Sequence, residues 1–198
     1  ERTDLAIFYD GVNDAGGLCL AGVSLTGHSL ETEMTLKMEN RQGYTGAIYQ
    51  LFFKGIVRFF TAILDPEAQP RHFTCKGDPE RSRAVARTLV NNWRIAHDLV
   101  TARGGTFVAV LQPAAFIGRP NVNHIQRDLD SRWKVLGEQV QAIYPLVREL
   151  MRPYAYMYDF SSKYDGDEYI YTDYAHVSRN GNEIVAASID RLLRERGH

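Results

Sequence analysis

Two short apolar runs, each closed off by turn residues, constrain the fold of this chain more than any other feature. Leu5-Ala6-Ile7-Phe8-Tyr9 is stopped by Asp10-Gly11, and Phe107-Val108-Ala109-Val110-Leu111 lies between Gly104-Gly105 and Gln112-Pro113. Neither run alternates apolar with polar residues, so neither suits a strand with one face in water. Both suit strands buried on both faces, as in a parallel sheet. Ala155-Tyr156-Met157-Tyr158-Asp159-Phe160 is a third, weaker candidate.

Parallel strands need long crossovers, and the chain supplies helical stretches for them. Leu89, Trp93, Ala96 and Val100 recur at helical spacing from about 79 to 103, where Asp78 is placed to cap the start. Leu129, Leu136, Val140, Ile143 and Val147 do the same from about 125 to 151, and Val185, Ile189, Leu192 and Leu193 line one side of a last helix from about 182 to 196. Helices alternating with apolar strands predict an α/β domain with right-handed crossovers and both sheet faces covered. The first two runs should be neighbouring parallel strands.

Residues 15–76 break this rhythm and read as a loop and helical insertion within a single domain spanning 1–198. Gly16, Gly17, Gly22, Gly27, Gly43 and Gly46 make its first part loop-rich. Residues 47–64 then read as a strongly apolar helix with Gln50, Lys54, Arg58 and Thr61 in a narrow polar stripe. Two readings stay open for it: a helix buried in the domain, or a lid or partner-binding helix beside the site. A membrane span is not expected, because Lys54 and Arg58 fall mid-run and the run is shorter than about 20 residues.

Composition narrows the function classes. With 198 residues and 44% hydrophobic content, the chain can bury a substantial core. Its 23 Lys and Arg balance 24 Asp and Glu with no long run of one sign, which speaks against nucleic acid as a partner. Cys19 and Cys75 are too few for a metal ribbon or a disulfide scaffold, although one bridge stays open, and the compartment is undetermined. His28, His72, His97 and His124 show no ligand spacing, so neither a metal nor another cofactor is expected.

The chemistry concentrates at the two ends. Gly11 after a buried strand lets the chain turn sharply, and Asn13 can then project an amide N–H over the carboxyl edge of the sheet as an oxyanion donor, with Asp14 beside it. The same residues also make an ordinary turn. Asp173 and His176, three residues apart, are close enough for the carboxylate to reach the imidazole. Such a pair fixes the tautomer and stabilises the cation of a general base, although Asp-x-x-His also occurs for structural reasons.

The combination is more specific than either part. Gly-x-Asn-Asp after a strand (Gly11, Asn13, Asp14), followed late by Asp-x-x-His-Val-Ser-x-x-Gly-Asn (Asp173, His176, Val177, Ser178, Gly181, Asn182) and a terminal helix, resembles the SGNH (GDSL) hydrolase family. The resemblance spans essentially the whole chain, most weakly from Ala15 to Lys76. It implies a flavodoxin-like three-layer sandwich and a serine-type ester hydrolase in which Asn13 helps form the oxyanion hole, His176 is the base and Asp173 orients it. Gly11 and Asp14 support these roles. The implied substrate is an acyl ester, with an O-acetylated carbohydrate as one candidate.

Two blocks of that family pattern are absent: the Gly-Asp-Ser segment after the first strand and the second oxyanion glycine. Gly77-Asp78-Pro79 places proline where the serine would stand, Ser178 is placed to cap the last helix, and Ser24, Ser29, Ser161 and Ser162 lack a strand–turn context. The chain enters its first apolar run directly after Glu1-Arg2-Thr3-Asp4 and reads as the remainder of a longer protein. The expected nucleophile would come from an upstream segment, at least a strand and a helix or about 30 residues, or from a separate chain. An inactive glycan- or acyl-binding module of the same fold, and an unrelated α/β domain, are the alternatives. Tyr164, Tyr169, Tyr171 and Tyr174 crowd the base and serve either packing or a substrate pocket.

Overall fold

The computed structural model describes residues 4–21, 23, 25 and 73–196. The apolar helix expected over residues 47–64, and most of the 15–76 insertion, lie outside the described residues. Three strands form one parallel sheet in the order β1 (Leu5–Asp10), β2 (Thr106–Leu111), β3 (Met157–Asp159). The register pairs Leu5 with Thr106 and Asp10 with Leu111, so the two apolar runs are parallel neighbours as their composition requires.

Helices cover this sheet on both faces. Phe107, Ala109 and Leu111 point into the main core, with Val85, Leu89 and Trp93 of α2 (Pro79–Thr101) and Val140, Ile143 and Val147 of α4 (Lys134–Met151). Val108 and Val110 point the other way, against Leu192 of α5 (Arg179–Glu195). The period of two along β2 thus splits one apolar run between two helical layers. Asp78 caps α2 by accepting the Arg81 amide at 2.9 Å, with Pro79 in the first turn where its missing N–H costs nothing.

The structure departs from the sequence reading in four places. β1 is an edge strand among the described residues, with Leu5, Ile7, Phe8 and Tyr9 each 38–39% exposed, whereas Phe107 to Leu111 of β2 are at most 2% exposed. An apolar run therefore reported a preference for burial on both faces that only β2 satisfies. Residues 12–17, including Gly16 and Gly17, are not loop but the short helix α1 (Val12–Gly17), whose buried Val12 and Ala15 join the main core. The helix expected over 125–151 is two helices, α3 (Gln126–Asp130) and α4. At the break, Ser131 Oγ donates to the Arg127 carbonyl at 2.7 Å and the Trp133 ring packs on Tyr174, so side chains redirect the backbone there. The last helix begins at Arg179, three residues early, because Ser178 is its cap and accepts the Gly181 amide.

A disulfide between Cys19 and Cys75, both buried, closes the neck of the insertion. The Thr74 amide and hydroxyl both donate to the Cys19 carbonyl, Leu20 bridges Phe73, and the Arg81 guanidinium donates to the Leu18 and Val23 carbonyls. The end of α1 is thereby tied to the start of α2. Among the described residues, no helix is long and apolar enough to cross a membrane.

Candidate functional site

Both end motifs follow the carboxyl ends of strands. β1 ends at Asp10, and the chain reverses at Gly11, whose φ of 133° lies where L side chains rarely fit. Space as well as conformation demands glycine here, because a Cβ would meet Leu111 Cδ1 at 2.7 Å. Beneath this turn the Tyr144 hydroxyl donates to the Gln112 carbonyl at 3.0 Å, so one buried ring supports the turns after both β1 and β2. Asn13 then stands exposed in the first turn of α1, with Asp14 half-buried after it.

The second motif is held by a small hairpin and a side core. Tyr171 bridges Val177, the Thr172 amide donates to the His176 carbonyl at 2.8 Å, and the Ser178 amide donates to the Ile170 carbonyl at 2.7 Å. Ile170, Tyr171, Tyr164 and Val185 pack beneath it with Ile125, Leu129 and Ala115. Gly181 sits so close under the hairpin that a Cβ would lie 2.6 Å from Ile170 Cγ2, which explains a glycine inside the first turn of α5. The Ala115 amide, just past the end of β2, donates to the Tyr174 carbonyl at 3.0 Å and ties this loop to the same sheet edge as Gly11.

Within the loop, Asp173 grips His176 from two sides. Asp173 Oδ2 lies 2.7 Å from His176 Nδ1, while Oδ1 accepts the Ala175 and His176 amides, each at 2.8 Å. Burial pushes the Asp173 carboxyl up, but the two amides and the imidazole outweigh it and hold it below the usual carboxylate range. The carboxylate accepts from Nδ1–H, which leaves Nε2 as the basic nitrogen. With its side chain 77% exposed, His176 presents that nitrogen to solvent rather than to the core. The Trp133 and Tyr174 rings meet at a tilt of 39° with centroids 4.3 Å apart beside it, and the Tyr174 ring lies edge-on to the imidazole at 6.5 Å. This arrangement can take a proton from a hydroxyl at Nε2 and stabilise the resulting cation.

The structure thus joins Asp173 to His176 directly and sets Gly11, Asn13 and Asp14 over the same carboxyl edge; no direct contact links Asn13 to His176. Among the described residues no serine completes the set. Ser178 is a helix cap, Ser82 donates to the Cys75 carbonyl, and Ser161 at the end of β3 is buried. Of the four crowding tyrosines, Tyr164 and Tyr171 are buried packing residues, Tyr174 is half-buried and Tyr169 is exposed. Among the described residues no group of His, Cys, Asp and Glu is arranged to hold a metal ion.

Sequence reasoning passed over Asp10. Its carboxylate accepts the Trp93 indole N–H at 2.9 Å, and burial together with the charge of Asp14 pushes its pKa up to about 6 against the lowering effect of Trp93. The partner lies 83 residues away, and the only local signal is an acidic residue ending an apolar strand. An open hollow of about 330 Å³ lies elsewhere, against β3 and α5, lined by Tyr158, Phe160, Lys163, Arg191 and Arg196 among others. It contains none of the motif residues and no acid–base pair, so the reactive geometry rather than cavity size identifies the candidate site. No family model, curated protein or solved structure matches the chain.

Proposed function

We propose that this chain carries the base and oxyanion half of a serine-type ester hydrolase of the SGNH (GDSL) kind, built on a flavodoxin-like sandwich. The single observation that carries the reading is the Asp173–His176 contact at 2.7 Å, with an exposed imidazole, on the sheet edge where Asn13 stands. In this reading His176 Nε2 takes the proton of a serine hydroxyl as it attacks the acyl carbon, and later returns it to the departing alcohol. Asp173 holds the ring and its charge, and the Asn13 amide donates to the oxyanion of the tetrahedral intermediate. The serine is supplied by a segment upstream of Glu1 or by a separate chain. The substrate is an acyl ester, and an O-acetylated carbohydrate fits the Trp133–Tyr174 aromatic pair beside the base.

The test compares the 198-residue chain with the natural gene product including residues encoded upstream of Glu1. The longer form should hydrolyse simple acyl esters and be labelled on an upstream serine by a phosphonate, whereas the shorter form should do neither. In the longer form His176→Ala should remove nearly all turnover, and Asn13→Ala should cost on the order of 10²–10³. Phosphonate labelling of a serine within residues 1–198, with matching turnover, would refute the supplied nucleophile. The lack of a suitably placed serine among the described residues favours a second reading, an inactive glycan- or acyl-binding module. Ester or glycan binding by the longer form without hydrolysis would decide for it.

A further inference from the structure

The hollow against β3 and α5 gathers positive charge without carboxylates to match. It has a volume of about 330 Å³, and Lys163, Arg191 and Arg196 line it with Glu195 as the opposing charge. The other two arginines of α5 are each neutralised four residues away: Arg179 Nε meets Glu183 Oε1 and Arg194 Nε meets Asp190 Oδ2, both at 2.8 Å. Arg191 stands four residues before Glu195 on the same helix and makes no such pair. Among the described residues, neither it nor Lys163 nor Arg196 has a carboxylate within ion-pair distance.

Aromatic faces hold two of the three cations instead. Lys163 Nζ lies 5.3 Å from the centre of the Phe160 ring, brought over it by a turn in which the Lys163 amide donates to the Phe160 carbonyl at 2.9 Å. The Arg196 guanidinium lies 5.0 Å from the centre of the Tyr158 ring and donates to the Ala155 carbonyl. A carboxylate would cancel each charge, whereas an aromatic face fixes its position and leaves it whole. Basic residues at a helix carboxyl end also complement the helix dipole, which accounts for Arg194 and Arg196. It does not account for Lys163, which comes from the turn after β3, or for Arg191, more than a turn before the helix end.

We propose that this hollow binds a soluble phosphate monoester on a body no larger than a monosaccharide. Lys163, Arg191 and Arg196 against Glu195 leave two positive charges in excess, which matches a dianion. A phosphate monoester carries close to two negative charges at about pH 7 and three acceptor oxygens, whereas a carboxylate or a sulfate ester carries one charge. The two guanidinium groups offer paired donors to such oxygens, and the Lys163 ammonium adds a point charge. Size limits the rest of the ligand. A volume of about 330 Å³ stands at the low end of small-molecule sites, roughly 300–1,000 Å³, and suits one sugar ring with its phosphate. Leu192, Tyr158 and Phe160 supply an apolar wall for that ring. Nothing in this site depends on the hydrolase reading, because none of its residues belongs to the two end motifs.

Calorimetric titration of the 198-residue chain with glucose 6-phosphate, at low ionic strength and about pH 7.5 where the phosphate is dianionic, tests this. Saturable one-to-one binding is expected, with glucose 6-sulfate, the monoanionic counterpart, about tenfold weaker or more and glucose silent. Arg191→Gln and Lys163→Gln change exposed side chains and should each weaken the phosphate on the order of tenfold. Phe160→Leu keeps every charge but frees the Lys163 ammonium, and should weaken it about three- to fivefold. Arg179→Gln removes the same charge from the far end of α5 and should change affinity less than about twofold. Absence of glucose 6-phosphate binding, equal affinity for the sulfate, or an equal loss in Arg179→Gln and Arg191→Gln would each overturn the proposal. Binding confined to vesicles carrying phosphatidate, which present the same phosphate monoester at a lipid surface, would overturn it as well.

Discussion

β1 and β2 read alike as sequence and behave differently as structure. Each is a continuous apolar run between turn residues, yet Val108 to Leu111 are fully buried while Leu5 and Ile7 to Tyr9 are more than a third exposed. The difference is one of neighbours. β2 has a strand on each side and helices on both faces, whereas β1 has one strand and an open edge among the described residues. Burial belongs to a position in the sheet, and an apolar run states only what a strand requires.

The sharpest way to break this comparison is to place the same charge in both strands. Val110→Asp would bury an unpaired carboxylate against Leu192 and should lose more than about 4 kcal/mol in urea unfolding. Ile7→Asp should cost less than about 1 kcal/mol in the 198-residue chain. Equal losses would show β1 to be as buried as β2.

A second contrast concerns what holds each side in place. The β2 side is fixed by packing, while α1 and the turn after β1 are tied to α2 through the Cys19–Cys75 bridge and the Arg81 contacts. Replacing both cysteines by serine should cost about 2–4 kcal/mol, read by thermal or urea unfolding under non-reducing conditions. A change below about 1 kcal/mol would show that the noncovalent neck suffices.

The smallest expected effect is a pH dependence at the end of β1. The folded pKa of Asp10 is raised from 3.8 to about 6, so its stabilising contribution is complete below about pH 4 and is lost as pH rises through about 6. Asp10→Asn keeps an oxygen for the Trp93 indole and removes the charge. It should flatten the stability profile between pH 4 and 6 and gain on the order of 1 kcal/mol at pH 7, allowing for solvent screening. An unchanged profile would place the carboxylate in a better-solvated setting than its contacts indicate.

Local features were legible because their partners are near in sequence. The Asp78 cap, the Ser178 cap and the Asp173–His176 pair each need only a turn of backbone, and each has the contact its residue types suggest. The parallel pairing of β1 with β2 was legible for a related reason, since apolar runs separated by helices have few other ways to be covered. The break between α3 and α4 was hidden because helical spacing continues through it, and one of the two contacts at the redirection, Trp133 on Tyr174, joins residues 41 positions apart, while the other is the local Ser131–Arg127 hydrogen bond.

By itself, then, the sequence determined the α/β class, the parallel neighbours, the helix caps and the Asp173–His176 contact, all of which follow from short-range geometry and hydrophobic pattern. Only the tertiary structure decided that β1 is an edge strand among the described residues, that Cys19 pairs with Cys75, that Trp93 meets Asp10 and that Tyr144 supports both turns. Those facts depend on which distant segments share a layer. A pattern with a period of two or 3.6 specifies which face of an element seeks cover, and only the packed arrangement of all elements specifies what supplies it.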